Sequence, residues 1–200
     1  MPINSIQRQG GGMPKIGQLR KGAIKATNAP GRNLSYFRFV SNFPEVVQAF
    51  EAEYGKEPAR LEAIIPAQLN EAWDYWMECW KGGGLVRRCD QNSIVLKLVD
   101  GRYQVGQFPC WCAANPNAKK EDLCNEAGRL KLFLPKLGRW GYVELVTGAW
   151  WDITEITRCL QDIENRAGTL IGMPIILERV QKEVSHATPE GKRTRNKQWV

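Results

Sequence analysis

Cys89, Cys110, Cys112 and Cys124 carry the most concentrated reactive chemistry in this chain of 200 residues. The stretch "QFPCWC" (107–112) sets two of them on either side of one tryptophan. Zinc favours four soft thiolates in a tetrahedron, and strand ends joined by a hairpin bring distant cysteines together. Cys89 ends one expected strand, and a hairpin returns the chain to the Cys110–Cys112 knuckle. Cys124 then closes the polar loop "AANPNAKKED". That loop has too few apolar residues to hold its own shape, and a metal supplies what packing does not. A site of four protein thiolates leaves no position for water, so the expected Zn2+ is structural. Unlinked core thiols and a redox pair stand as the alternatives. Disulfides are disfavoured because the N-terminus lacks the apolar stretch of a secretory signal. Cys79 and Cys159 read as small apolar residues of helices.

Catalytic patterns are missing from the sequence. The single histidine, His186, adjoins a basic tail, a poor place to hold a general base. No phosphate-binding glycine loop of either common spacing occurs. Acid pairs such as Glu51 with Glu53 and Glu121 with Asp122 fall on expected solvated surfaces, and Asp90 and Asp100 on turns. The expectation is a protein that is not an enzyme. A metal-dependent hydrolase would require an open metal site.

The formal charge is +7, and its placement is uneven. Residues 1–33 hold Arg8, Lys15, Arg20, Lys21, Lys25 and Arg32 with no acid, and residues 185–200 hold Lys192, Arg193, Arg195 and Lys197 against Glu190 alone. The stretch between them is slightly acidic. Two basic ends on a near-neutral body fit contacts with a polyanion, DNA or RNA, because neutralised phosphates release counterions. The plainer reading is a pair of solubilising tails. No apolar run is long enough to cross a bilayer, so the expectation is no membrane partner and a cytoplasmic location.

The elements that must position these residues follow from patterning. "LSYFRFV" (34–40) reads as a strand. "SNFPEVVQAFEAEYG" reads as a helix, with Asn42 as cap, Pro44 in the first turn, and Val46, Val47, Phe50 and Tyr54 as its stripe. "RLEAIIP" (60–66) is a short strand. In "AQLNEAWDYWMECW", Leu69, Trp73, Trp76, Met77 and Trp80 recur at helical spacing, and the expectation is a second helix. Three strands follow between 85 and 108, the last two joined by Asp100-Gly101, a hairpin signal. "GRLKLFLP" and "GYVELVTG" are strands. "WDITEITRCLQDIENRAG" is a helix with Asp152 and Glu155 in capping-box spacing, and 173–184 is a last strand. The expected fold is α+β, a ferredoxin-like or RRM-like split βαβ core with an inserted helix and zinc-binding β-hairpin. The boundaries are a flexible basic leader (1–33), a domain over 34–184 with the insertion at about 67–127, and a basic C-terminal segment (185–200).

The ordered motifs "PKIGQLRKG", "YFRF", "FEAEYGKEPARLEAIIP", "WKGGGLVRRCD", "FPCWC", "GRLKLFLPKL", "GYVELVTGAWWDI" and "PIILERVQKEV…GKRTRNKQWV" resemble the recombination directionality factor-like (phage gp3-like) family of phages and mobile elements. The resemblance implies a protein that binds a large serine integrase on attachment-site DNA and turns recombination toward excision, without chemistry of its own. It implies that Cys89, Cys110, Cys112 and Cys124 are the family's metal-site cysteines. An alternative from the same α+β reading is an RRM-like subunit that assembles with copies of itself along RNA or single-stranded DNA, as in CRISPR effector backbones.

Overall fold

The computed structural model describes residues 12–24, 33–90, 92–187 and 193–200. Twelve strands are described: β1 (Lys15–Gly22), β2 (Asn33–Val40), β3 (Arg60–Ile64), β4 (Trp73–Lys81), β5 (Gly84–Cys89), β6 (Ser93–Val99), β7 (Arg102–Pro109), β8 (Asn125–Leu132), β9 (Tyr142–Thr147), β10 (Pro174–Glu178), β11 (Gln181–Ala187) and β12 (Arg193–Trp199). Four α-helical segments accompany them: α1 (Pro44–Tyr54), α2 (Leu69–Ala72), α3 (Trp111–Ala114) and α4 (Trp150–Ala167). Eight strands form one sheet in the order β2-β1-β9-β8-β4-β5-β6-β7. Within it β1 and β9 run parallel, and the other neighbours antiparallel. None of the described helices is long and apolar enough to cross a membrane.

This architecture overturns the split βαβ expectation. The fold is mostly β, and the strands flanking α1 do not share a sheet: β2 closes one edge of the large sheet, while β3 pairs with β10 in a separate ribbon, Leu61 opposite Leu177. The expected insertion is no appendage either. The stretch read as its helix is β4, with only a single turn, α2, before it. Trp73, Trp76, Met77 and Trp80 do fall at helical spacing, but Trp73, Tyr75, Met77 and Cys79 also alternate. Aromatic residues favour a pleated, half-buried surface, and β4 finds partners on both sides, β8 and β5. The cysteine-bearing hairpin therefore continues the main sheet, and the RRM-like body behind the strand-coating alternative is absent.

The stretch expected as a leader contains β1, seated between β2 and β9. Its inward positions are Gly17, Leu19 and Lys21, of which only Leu19 looks like core. Gly17 is required there: a Cβ would lie 2.4 Å from the Phe39 ring. The last expected strand, 173–184, is two strands, and β11 turns back to pair with β12.

One side of the sheet holds the core. Leu19, Phe37, Leu130, Leu132, Val143 and Leu145 pack against Val46 and Phe50 of α1, Ile153 and Leu160 of α4, and Leu61 and Ala63 of β3. Each such side chain contributes roughly 1.5–3 kcal/mol on burial. α1 starts at Pro44 with Phe43, not Asn42, in the capping position. Ser41 organises the entry by accepting the Phe43 N–H (3.1 Å) and donating to the Ile16 carbonyl (2.6 Å). α4 closes on Gly168 in the left-handed region, φ 74°. Its expected capping acid, Asp152, instead accepts the Thr147 hydroxyl at 2.6 Å.

Candidate thiol cluster and nucleic-acid interface

The far end of the sheet brings thiols together because of register. Met77 of β4 lies opposite Cys89 of β5, Cys79 opposite Arg87, and Cys89 opposite Ile94 of β6. β4 also pairs through Glu78 with Asn125, which sets Cys124 beside the same row. Cys79, Cys89, Ile94 and Cys124 form a small buried cluster, with Cys112, Trp111, Met77 and Phe108 packed on it. Three expected ligands, Cys89, Cys112 and Cys124, thus converge. Cys110 is half-buried at the start of α3, two residues from Cys112. The structure adds Cys79, which the helical reading of β4 had set apart. Cys159 is exposed on α4.

Arg87 dominates the electrostatics. Its guanidinium donates to the Asp122 carbonyl, approaches the Cys112 sulfur (3.9 Å) and stacks over the Trp111 ring (4.3 Å). The Cys124 N–H also donates to the Cys112 sulfur, at 3.3 Å. Burial pushes the Cys112 thiol up, yet the Cys124 N–H and thiol and the Arg87 guanidinium together hold it below its ordinary value. Cys124 is raised, by burial first and then by its hydrogen bond to Cys112 and the nearby Cys89. The pair is polarised: one thiol is prepared to be a thiolate and its neighbour to keep its proton. Among the described residues, no group of three or more His, Cys, Asp or Glu side chains is arranged to hold a metal ion. The inserted zinc-binding β-hairpin expected from the sequence is not seen among the described residues.

A second feature lies on the face of the sheet turned away from the core. Arg20 of β1 stands directly opposite Arg38 of β2, and both Arg20 and Arg129 of β8 pair with Val146 between them. Like charges directly opposite on a sheet are unfavourable. Burial and then Arg38 lower the Arg20 guanidinium from its ordinary value; Glu144 opposes the shift and Arg129 adds to it. Among the described residues, neither Arg20 nor Arg38 makes an ion pair. A groove of about 590 Å3 crosses this face, lined by Lys15, Arg20 and Arg129, by Glu78, Glu126 and Glu144, and by Trp80 among others; Arg38 lies outside it. Below it Glu78, only 1% exposed, binds Arg88 (2.7 Å) and Arg129 and accepts the Trp80 ring N–H at 2.9 Å. Trp80 itself is 52% exposed.

The basic residues singled out in the sequence therefore divide. Arg20 lies on this groove, and so does Lys15, which pairs with Glu144 at 2.5 Å. Lys21 points the other way, under α4, and pairs with Asp152. That burial removes it from any phosphate-contacting set. Arg195 and Lys197 are exposed on β12, Arg195 lying 3.9 Å from Glu183. Arg193 is also on β12. Lys25, Arg32 and Lys192 lie outside the described residues. His186 falls on β11. Sequence reasoning missed Arg38 and Arg129, because only pairing reveals that they share a face with Arg20. The alternation of "YFRF" and "GRLKL" was the available signal.

A thiol-packed sheet end and an open face carrying Arg20, Arg38 and Arg129 are the distinctive features of this β-rich chain. The chain belongs to the recombination directionality factor-like (Gp3-like) family, whose profile matches residues 16–196, from β1 into β12. Membership ties it to recombination. No curated protein and no solved structure matches the chain.

Proposed function

We propose that the protein is a non-enzymatic accessory factor of site-specific recombination, which binds a serine integrase on DNA and biases the direction of exchange. The observation that carries this reading is the facing pair Arg20 and Arg38 on the open face, neither of them ion-paired among the described residues, with Arg129, held by Glu78, beside them: like charges held together favour an anion between them. Phosphates laid along the groove relieve that repulsion, and the exposed Trp80 ring offers an apolar contact beside them. The mechanism is a population shift, in which the factor binds one geometry of the integrase–DNA complex better than the other.

The thiol cluster supports that surface from the far end. Its donor types suit zinc, since Cys89, Cys112 and Cys124 are gathered in one cluster beside a guanidinium, although their side chains are not arranged as a metal site; Cys110, two residues from Cys112, would have to move in to make a fourth ligand. Bound Zn2+ would supply a cross-link between β5, the α3 turn and the start of β8.

The test is binding to an attachment-site duplex, with and without the cognate integrase, as a function of salt. Replacing both Arg20 and Arg38 with alanine is expected to weaken binding and to lower the slope of log K against log salt by roughly two phosphate contacts. It is also expected to shift the product ratio toward integration. An unchanged slope together with an unchanged product ratio defeats the proposal.

A further inference from the structure

The large sheet has two edges, and the fold treats them differently. At the β2 edge the outward backbone groups find partners: the Phe37 N–H donates to the Pro58 carbonyl at 2.8 Å, and the Leu34 carbonyl accepts from Arg179 at 2.9 Å. At the other edge β7 pairs with β6, and no further strand pairs with it among the described residues. Proteins guard such an edge with a covering loop, a bulge, or a lysine or proline set into it, because its free N–H and C=O groups can pair with another chain. In β7 the only charged residue is Arg102 at its start, and the only proline is Pro109 at its end. Val105 is 81% exposed and Tyr103 53%.

The backbone groups that face outward follow from the turn. Asp100 and Gly101 both take positive φ, the type I′ geometry of a two-residue hairpin, and Val99 faces Arg102 across it. Residues that close such a turn exchange hydrogen bonds, so the N–H and C=O of Arg102 point to β6, as do those of Gln104. Those of Tyr103 and Val105 point away from the sheet. The Tyr103 hydroxyl donates to the Leu85 carbonyl at 3.0 Å, which draws its ring inward across β6 and leaves the edge uncovered. β7 does carry a bulge, but beyond this segment: Leu96 faces Val105 and Ile94 faces Phe108, so the extra residue lies between Val105 and Phe108.

We propose that residues 102–106 are a dimerisation edge, pairing antiparallel with the same segment of a second copy about a two-fold axis at Gln104. In that register Tyr103 faces the partner's Val105, and Val105 the partner's Tyr103. The backbone groups of all four point outward, so each pair exchanges two hydrogen bonds. Each also sets an aromatic ring beside a β-branched side chain, a favourable cross-strand pair. Arg102 comes opposite the partner's Gly106, which has no side chain to crowd it. The two arginines are then about 14 Å apart along the strands, beyond the screening length of about 8 Å at physiological salt. A parallel arrangement would set them side by side. The occupant is a second copy because the segment complements itself in backbone, side chains and charge at one register. The inference is independent of the recombination role, which rests on arginines toward the opposite edge of the sheet.

Sedimentation equilibrium of the full chain across the micromolar range tests this, and the expected result is a reversible monomer–dimer equilibrium. Val105→Pro removes an outward N–H that β6 does not use, and is expected to weaken the dimer about tenfold or more. Val105→Lys, which brings like charges to the edge, is expected to act in the same direction. Register is read by cross-linking with oxidised glutathione. Gln104→Cys sets two thiols across the two-fold axis and is expected to form an intermolecular disulfide. Arg102→Cys, facing a glycine, is expected to stay at the wild-type level set by the exposed Cys159. A wild type that stays monomeric overturns the proposal. So does a dimer that both Val105 variants leave intact, or one in which the two cysteine variants cross-link alike. Protection of the Tyr103 and Val105 amides from exchange that appears only when a different protein is added gives the edge to that protein, and overturns the proposal as well.

Discussion

The two ends of the large sheet are held together by different physics. Under the helices, strands β2, β1, β9 and β8, joined by β3, the helices and Trp73 of β4, share a core of eighteen buried residues among those described, all aliphatic or aromatic. At the other end, β4 to β7 close over a cluster of four, three of which are cysteines. Large apolar side chains stabilise wherever water is excluded. Small thiols bury little area and gain most from a specific partner, whether a cation, an N–H or a metal. The first end is therefore self-sufficient, and the second depends on the chemical state of its sulfurs. Arg87, buried and stacked on Trp111, is the protein's own contribution to that state.

The largest effect that could break this comparison comes from the apolar end. Phe50 is 1% exposed and stacks on Phe39 with ring centroids 4.2 Å apart. Phe50→Ala is expected to cost about 3–5 kcal/mol in denaturant unfolding, and to cost the same before and after treatment with a chelator. A loss that depends on the chelator would mean the two ends are not separable in this way.

The thiol end gives the next effect. Cys124→Ser places a hydroxyl where burial and Cys112 now favour a protonated thiol. In metal-free protein the expected cost is about 1–3 kcal/mol. If the proposed zinc is bound, elemental analysis finds about one per chain in the wild type and a loss in the variant. Chelation is then expected to raise amide exchange in β5, β6 and β7 while leaving β1, β2 and β9 protected. A metal-free wild type, or exchange that rises uniformly, removes the metal from the account.

These two ends were also unequally legible in the sequence. Around the apolar core, local patterns carried the assignment: the stripe of Ile153, Ile156, Leu160 and Ile163, the stop at Gly168, and the alternation of β8 and β9. The Asp100-Gly101 hairpin was equally plain, and both residues take positive φ, 49° and 74°. What failed were segments whose inward residues do not look like core. β1 buries Gly17 and Lys21 beside Leu19, so it read as a basic leader. β4 offered two periodicities at once, and only its pairing with β5 and β8 decides between them. That one decision sets the fold class and hides Cys79 from the thiol cluster. Cys89, Cys112 and Cys124 could be grouped from spacing because a hairpin joins them in either fold. The Arg20–Arg38–Arg129 group could not, since Arg20 and Arg38 meet through the β1–β2 pair and reach β8 only through the parallel β1–β9 pair.

The smallest effect lies between the two ends, at Glu78 on the open face. Burial raises its carboxyl, but hydrogen bonds from Arg129 and Trp80 and the arginine charges hold it below the ordinary value near 4.5. A carboxylate depressed on folding adds stability above its unfolded pKa, and that stability is lost as pH falls through the folded value, because the unfolded chain takes up the proton first. Glu78→Gln is expected to be less stable than wild type at neutral pH, with Arg88 and Arg129 left without their anion. As pH falls below about 4.5 the gap is expected to narrow, and it closes once the pH is below the depressed folded value, where the wild-type carboxylate is neutral in both states. Arg88 and Arg129 are 27% and 18% exposed, so water compensates part of the loss and the neutral-pH gap stays modest. Urea unfolding of both proteins across the acid range measures the gap directly. Parallel curves would show that the carboxylate holds the arginines by shape alone, and that the charge balance of the groove is set elsewhere.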